Sequence, residues 1–175
     1  CQHHAAFERI IIVTESVFSM DGDIADLQQL VAFKREFANV ALYVDEAHAI
    51  GVRGESGLGC AEEQGCVAEI DFLVGTFGKA VHSVGGYVLC SRLARDYLIN
   101  HMRPLIFSTA LPPINMAWTD FVLQRLHSLQ TERRHLQQLS RSLIAKVNTL
   151  HGHCVSQSHI VPVLCGSNAA ALAQA

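Results

Sequence analysis

Charge is scarce in this chain. Asp, Glu, Lys and Arg make up 17% of its 175 residues, and 13 basic against 16 acidic side chains leave a formal charge of -3. So balanced a chain has no electrostatic attraction for nucleic acid or for an anionic membrane. Long hydrophobic runs are missing as well. No stretch reaches 18 apolar residues, so none is long enough to span a bilayer as a helix. Cys1-Gln2-His3-His4 has neither the basic nor the apolar character of a leader. Cys1, Cys60, Cys66, Cys90, Cys154 and Cys165 include no C-x-x-C pair, the spacing that zinc and redox sites use. Several lie in apolar runs, where cysteine acts as a small hydrophobe. Reduced structural thiols, and hence a cytoplasmic protein, are the expectation. Repeats and low-complexity segments are absent too.

What is present is a core. Half of the residues are hydrophobic, a globular composition. Arg9–Thr14, Val40–Val44, Ile70–Gly75 and Gly85–Ser91 read as strands, the first two apolar on both faces. Helices are expected over Ile24–Ala38, Arg92–Met102 and most of Ile114–Leu150, with a break near Ser128–Thr131. Ala49–Gly65 holds five glycines and reads as a long loop with room for a short helix. Ile106–Thr109 reads as extended, and Ile160–Cys165 as a strand opening a new unit. Both ends look cut, the last residues being a helix barely begun. Strands alternating with helices imply an α/β fold, a mixed and mostly parallel sheet between helical layers. Ligands of such sheets gather outside the carboxyl ends of the strands.

Polar residues collect at those ends. Asp45, Glu46 and His48 follow the second strand; Thr76 and Lys79 follow the third. Lys79, between Gly78 and Ala80, has small neighbours that admit a bulky group close to the backbone. A partly desolvated lysine forms Schiff bases with aldehydes, though Lys79 alone is equally readable as a loop lysine. An acid such as Asp45 caps a helix, binds a metal or holds a cofactor. Pyridoxal phosphate requires such an acid to keep its ring nitrogen protonated. His48 alone is compatible with a core or surface histidine. The Asp45-Glu-Ala-His48 string also occurs in helicases, but those need G-x-x-x-x-G-K-[ST] upstream, and no such loop precedes Asp45. His151, His153 and Cys154 are too cramped for a zinc site and have no evident fourth ligand, so a solvated turn and no metal is expected there.

Four segments together resemble the α-oxoamine synthases, pyridoxal-phosphate enzymes of the aspartate-aminotransferase fold type. They are Glu15-Ser-Val-Phe-Ser-Met-Asp-Gly22; Val44-Asp-Glu-Ala-His-Ala-Ile-Gly51 with Gly54 and Gly57-Leu-Gly59; Gly75-Thr-Phe-Gly-Lys-Ala80; and Arg103-Pro-Leu-Ile-Phe-Ser-Thr-Ala-Leu-Pro-Pro113. All four stand in the family's order and near its spacing. The resemblance implies the three-layer fold of that class, truncated. Residues 1–130 would be part of the large cofactor-binding domain, and residues 131–175 a linker helix and the start of a small α+β domain. It implies that Lys79 holds pyridoxal phosphate, Asp45 meets the pyridine nitrogen, His48 the phenolic oxygen and Thr76 the phosphate, with Ser19 as a further polar contact. Ser108 and Thr109 would reach the phosphate of a neighbouring subunit, which implies a homodimer with shared sites. Read alone, Ser19 is also a turn residue, Thr76 a strand-end cap, and Ser108 and Thr109 local caps.

The implied reaction is decarboxylative condensation of an amino acid, L-alanine by the nearest pattern, with a pimeloyl-CoA or carrier-protein thioester. The sister 2-amino-3-ketobutyrate CoA ligase, an aminotransferase of the same fold, and an inactive folding or dimerisation piece stay open as alternatives. His82 departs from the pattern, standing where members often carry glycine. The family's glycine-rich turn and ring-stacking histidine, and its substrate-carboxylate threonine and arginine, have no counterpart here, as expected of roughly half of a family-length chain.

Overall fold

A computed structural model of the chain describes residues 7–151 and 154–174. Four strands form one sheet in the order β1 (Ile10–Glu15), β2 (Val40–Asp45), β3 (Phe72–Thr76) and β4 (Gly86–Cys90). The first three are parallel and β4 is antiparallel to β3. Registers Glu15↔Asp45 and Asp45↔Val74 bring the carboxyl ends of the parallel strands level. Seven helices accompany the sheet among the described residues: α1 (Leu27–Glu36), α2 (Cys60–Glu63), α3 (Arg92–His101), α4 (Arg103–Ile106), α5 (Pro113–Arg125), α6 (Gln130–His151) and α7 (Asn168–Gln174).

Alternation of side chains along the strands divides the sheet into two faces. Leu42, Val44 and Leu73 point to the face that α1 covers, where they bury with Val17, Leu27 and Val31. Tyr43 and Asp45 point to the other face, which opens on a cavity walled by Leu98, Ile99 and Met102 from α3 and its end. The mixed α/β architecture expected from the sequence is therefore present, as are the short helix inside the glycine-rich loop and the break between α5 and α6, where Leu126–Ser128 forms a single 3-10 turn.

Four expectations about the elements are corrected. The helix expected from Ile24 starts at Leu27, because Asp26 caps it by accepting from the Gln29 N–H at 2.9 Å. Ile24 instead bridges back to Val17. Arg103–Ile106 is a helical turn where an extended segment was expected at Ile106; Pro104 lies in its first turn, where the missing N–H is no loss. Ile160–Cys165 forms no strand: an apolar run becomes one only beside a partner, and none of the described strands pairs with it. β1 is covered on one face only, for Ile11 and Val13 remain 59% and 67% exposed.

Cys60, Cys66 and Cys154 are buried, and all five described cysteines are free thiols. Cys154 is thus not part of a solvated turn. His153 and the side chain of His151 lie outside the described residues, as does Cys1. Among the described residues no helix is long and apolar enough to cross a membrane.

Candidate active site

Backbone hydrogen bonds weld the three strand ends into one rim. The Ser16 N–H donates to Asp45 O at 2.9 Å, and the Glu46 N–H donates to Val74 O at 2.8 Å. After β2 the chain winds into a turn, with the Ala49 and Ile50 N–H groups donating to Glu46 O at 2.8 and 2.9 Å. Asp45 Oδ1 accepts from the Ala47 N–H at 2.8 Å, which fixes the carboxylate at the rim. His48, next in this turn, is half-buried.

After β3 the chain makes a loop whose ends are tied by the Phe77 N–H to Gly85 O at 2.9 Å and the Ser83 N–H to Phe77 O at 2.8 Å. Thr76 Oγ1 donates to Gly85 O at 3.2 Å and accepts from the Gly78 N–H at 3.1 Å. Helix α5 braces this loop from outside: Trp118 Nε1 donates to Val81 O at 3.1 Å, and Thr119 Oγ1 donates to Ser83 Oγ at 2.8 Å. Held this way, Lys79 Nζ lies 2.7 Å from His48 Nε2, and Lys79 is exposed rather than partly desolvated as expected, because its loop stands outside the sheet core. The His48 pKa is held below the ordinary histidine value, by burial first and then by the charge of Lys79, against the opposing charges of Glu15 and Asp45. The lowered value favours the neutral imidazole, which can share a hydrogen bond with the Lys79 amine through Nε2.

The site residues expected from the sequence therefore fall into two groups. Asp45, His48, Thr76 and Lys79 share the rim. Ser19 sits in the tight turn between Phe18 and Asp23, exposed, its N–H donating to Glu15 Oε2 at 3.2 Å. Ser108 and Thr109 are exposed, and the Ser108 hydroxyl donates to Leu105 O at 3.2 Å; within this chain the fold does not carry that pair to Lys79. His82 turns outward and is exposed, with φ 52, the left-handed region that glycine favours. That explains why glycine suits the position, and it leaves the rim unobstructed.

A cavity of about 680 Å³ adjoins the rim, with Tyr43, Asp45, Thr76 and Tyr87 in its lining. Burial pushes the Tyr87 hydroxyl up to about 12, so it stays protonated there. A second cavity, about 520 Å³, lies between Arg53, α6 and Ser156–His159. One further residue gained no role from sequence reasoning. Glu46 is fully buried beside Asp45, and burial raises its pKa above the usual carboxylate value against the pull of its hydrogen bonds. The available signal was the acid doublet followed by closely spaced glycines.

The chain matches the family model described as aminotransferase class I and II over residues 2–175. The chain belongs to that family. Within the aminotransferase class I and II family its relatives are α-oxoamine synthases, in agreement with the four motifs. A protein of Pasteurella multocida, provisionally named 8-amino-7-oxononanoate synthase, is 64% identical over 163 residues, 93% of this chain and 42% of the other. The solved serine palmitoyltransferase of Sphingomonas wittichii superposes with a TM-score of 0.76 at 35% identity, covering 86% of this chain and 38% of that one. The 8-amino-7-oxononanoate synthase of Francisella tularensis gives 0.73 at 29% identity, covering 90% and 46%. The chain thus spans less than half the length of the relatives it matches. Another solved serine palmitoyltransferase holds pyridoxal phosphate as an internal aldimine.

The rim fits that cofactor. It offers an amine, a fixed carboxylate at a strand end, an imidazole and a hydroxyl, and the carboxylate and hydroxyl residues line a cavity large enough for a ring and phosphate.

Proposed function

We propose that this chain forms the cofactor-holding part of a pyridoxal-phosphate-dependent C-acyltransferase, an 8-amino-7-oxononanoate synthase of biotin synthesis. The reaction would join L-alanine to a pimeloyl thioester with loss of carbon dioxide. The observation that carries the reading is the 2.7 Å approach of Lys79 to His48 at the rim that also bears Asp45 and Thr76. When bound, pyridoxal phosphate supplies a protonated ring that takes up the electron pair left by an α-proton of the amino acid.

Lys79 would hold the cofactor and, once released, move that proton as general base. Asp45, its carboxylate pinned by the Ala47 N–H, would keep the proton on the pyridine nitrogen. His48 would hydrogen-bond the phenolic oxygen. Thr76 would bind phosphate through its hydroxyl, and Ser19 would add a polar contact. Ser108 and Thr109, exposed in this chain, would serve the phosphate of a second subunit, and the working form would be a cytoplasmic homodimer. Residues 1–130 belong in this reading to the large domain. Residues 131–175 are the linker helix and the start of the small one.

Titration with pyridoxal phosphate tests the reading. A visible absorption band that is lost in Lys79→Ala is the expected result; a well-folded protein with no band overturns it for this chain. Product analysis with alanine and a pimeloyl or acetyl thioester then separates the synthase from its sister ligase, and keto-acid formation without thioester consumption would mark an aminotransferase.

A further inference from the structure

Glu46 stands between the two residues that the proposed function uses to address the cofactor ring, and its side chain is 0% exposed. The carboxylate takes three hydrogen bonds. Ser16 Oγ, just past β1, donates at 2.5 Å. The N–H groups of Cys60 and Ala61, in the first turn of α2, donate at 3.0 and 2.7 Å. All three donors are neutral. A buried carboxylate without a cation is expensive unless its lone pairs are filled. Here the surroundings are built for that. Gly59 adopts φ 108, and a Cβ on it would stand 2.6 Å from the Glu46 carboxyl carbon. The main chain of Glu46 is equally engaged, its N–H on Val74 O and its carbonyl receiving the two N–H groups that wind the His48 turn. One side chain thus ties the end of β1, the end of β2 and the start of α2 together, at the residue after Asp45 and two before His48.

We propose that Glu46 is a positioning residue whose buried carboxylate clamps the Asp45–His48 turn, so that the Asp45 carboxylate and the His48 ring stand where the cofactor's pyridine nitrogen and phenolic oxygen meet them. This rests on the cofactor-holding reading of Asp45 and His48. Glutamine in place of Glu46 has one acceptor oxygen, and its amide would set a donor against the Cys60 or Ala61 N–H. Alanine removes all three bonds. Ser16→Ala removes one.

Glu46→Gln, Glu46→Ala and Ser16→Ala are compared with Leu42→Ala, a core truncation in the same strand at a residue 1% exposed. The first readout needs no cofactor: the imidazole titration of His48 by NMR in the ligand-free chain. Lys79, Glu15 and Asp45 are the charged groups that act on this ring, His159 is a titratable neighbour coupled to it, and its burial depends on the turn. Releasing the clamp moves His48 away from Lys79 and returns its midpoint toward 6.5, in Glu46→Gln and, by a smaller step, in Ser16→Ala. Leu42→Ala leaves the midpoint unchanged. The second readout is the midpoint of a pyridoxal phosphate titration, which weakens about tenfold in Glu46→Gln, the scale of lost supporting contacts, and not in Leu42→Ala. Should Glu46→Ala fail to fold, Glu46→Gln and Ser16→Ala carry the test. An unchanged His48 midpoint in these variants, or an equal shift in Leu42→Ala, overturns the proposal. A wild-type chain without a visible band refutes the cofactor reading instead, and the His48 titration still decides whether Glu46 clamps the turn.

Discussion

Lys79 Nζ and His48 Nε2 lie 2.7 Å apart although 31 positions separate them in the chain. Lys79 follows β3 and His48 follows β2, and the parallel pairing of the two strands is what brings them to one rim. The contact makes each residue a reporter of the other. Lys79→Met removes a cation that opposes protonation of His48, so the His48 midpoint rises; burial, the larger cause, keeps it below the ordinary value. Imidazole NMR across a pH series checks this, and an unmoved midpoint would mean that the pair does not meet in solution.

The same histidine contributes to pH-dependent stability, together with His159. Both are held low by burial first; His48 is pushed further by Lys79, and His159 by His48 and Arg53. The unfolded chain therefore binds more protons in the window just below 6.5, so their contribution is complete above it and is lost as the pH falls through the folded values. His159→Gln should flatten the gain in melting temperature between about pH 5 and about pH 7.5. An identical gain in the variant would show that His159 titrates normally. Glu46 works in the opposite sense, since its raised pKa favours the folded state below 4.5 and withdraws that support as pH rises.

Gly59 and Gly65 differ both in backbone strain and in collision. Both have positive φ, 108 and 67, but a Cβ at Gly59 meets the Glu46 carboxyl while one at Gly65 meets nothing within 4 Å. Gly65→Ala should cost about 1 kcal/mol, the left-handed penalty alone. Gly59→Ala should cost about 3 kcal/mol or more, as φ 108 with ψ -171 is open essentially to glycine alone and the buried hydrogen bonds of Glu46 are also displaced. Urea unfolding of the pair measures the difference, and equal costs would deny the tight fit around Glu46.

His82→Gly should be neutral or stabilising by up to about 1 kcal/mol, because the relief of φ 52 offsets the added freedom of the unfolded chain. The exposed ring makes no contact that the change would forfeit at the rim, so the pyridoxal phosphate titration should be unaltered. Weaker cofactor binding in His82→Gly would give the ring a part in the site.

Much of the site was legible because it is local. Asp45 and Thr76 end buried apolar strands, and Lys79 follows Thr76 by a short loop, so their positions along the chain already place them at the ligand-binding end of a parallel sheet. Other features were not local. The sequence of Ile160–Cys165 resembles that of β2 in its apolar character, yet a strand exists only where a neighbour accepts its hydrogen bonds. Ile106 belongs to a helical turn because Pro104 and Met102 start one there. The exposure of Ile11 and Val13 depends on what lies over the sheet, which no pattern within β1 records.

By itself, then, the sequence determined which polar residues end the buried strands and so stand at their carboxyl ends, because apolar runs and the polar residues that terminate them are properties of neighbouring positions. Only the tertiary structure decided that Lys79 meets His48 and that Glu46 is buried on Ser16, Cys60 and Ala61. Those contacts join positions 14 to 31 residues apart, and they are set by strand register and by the close approach that Gly59 permits.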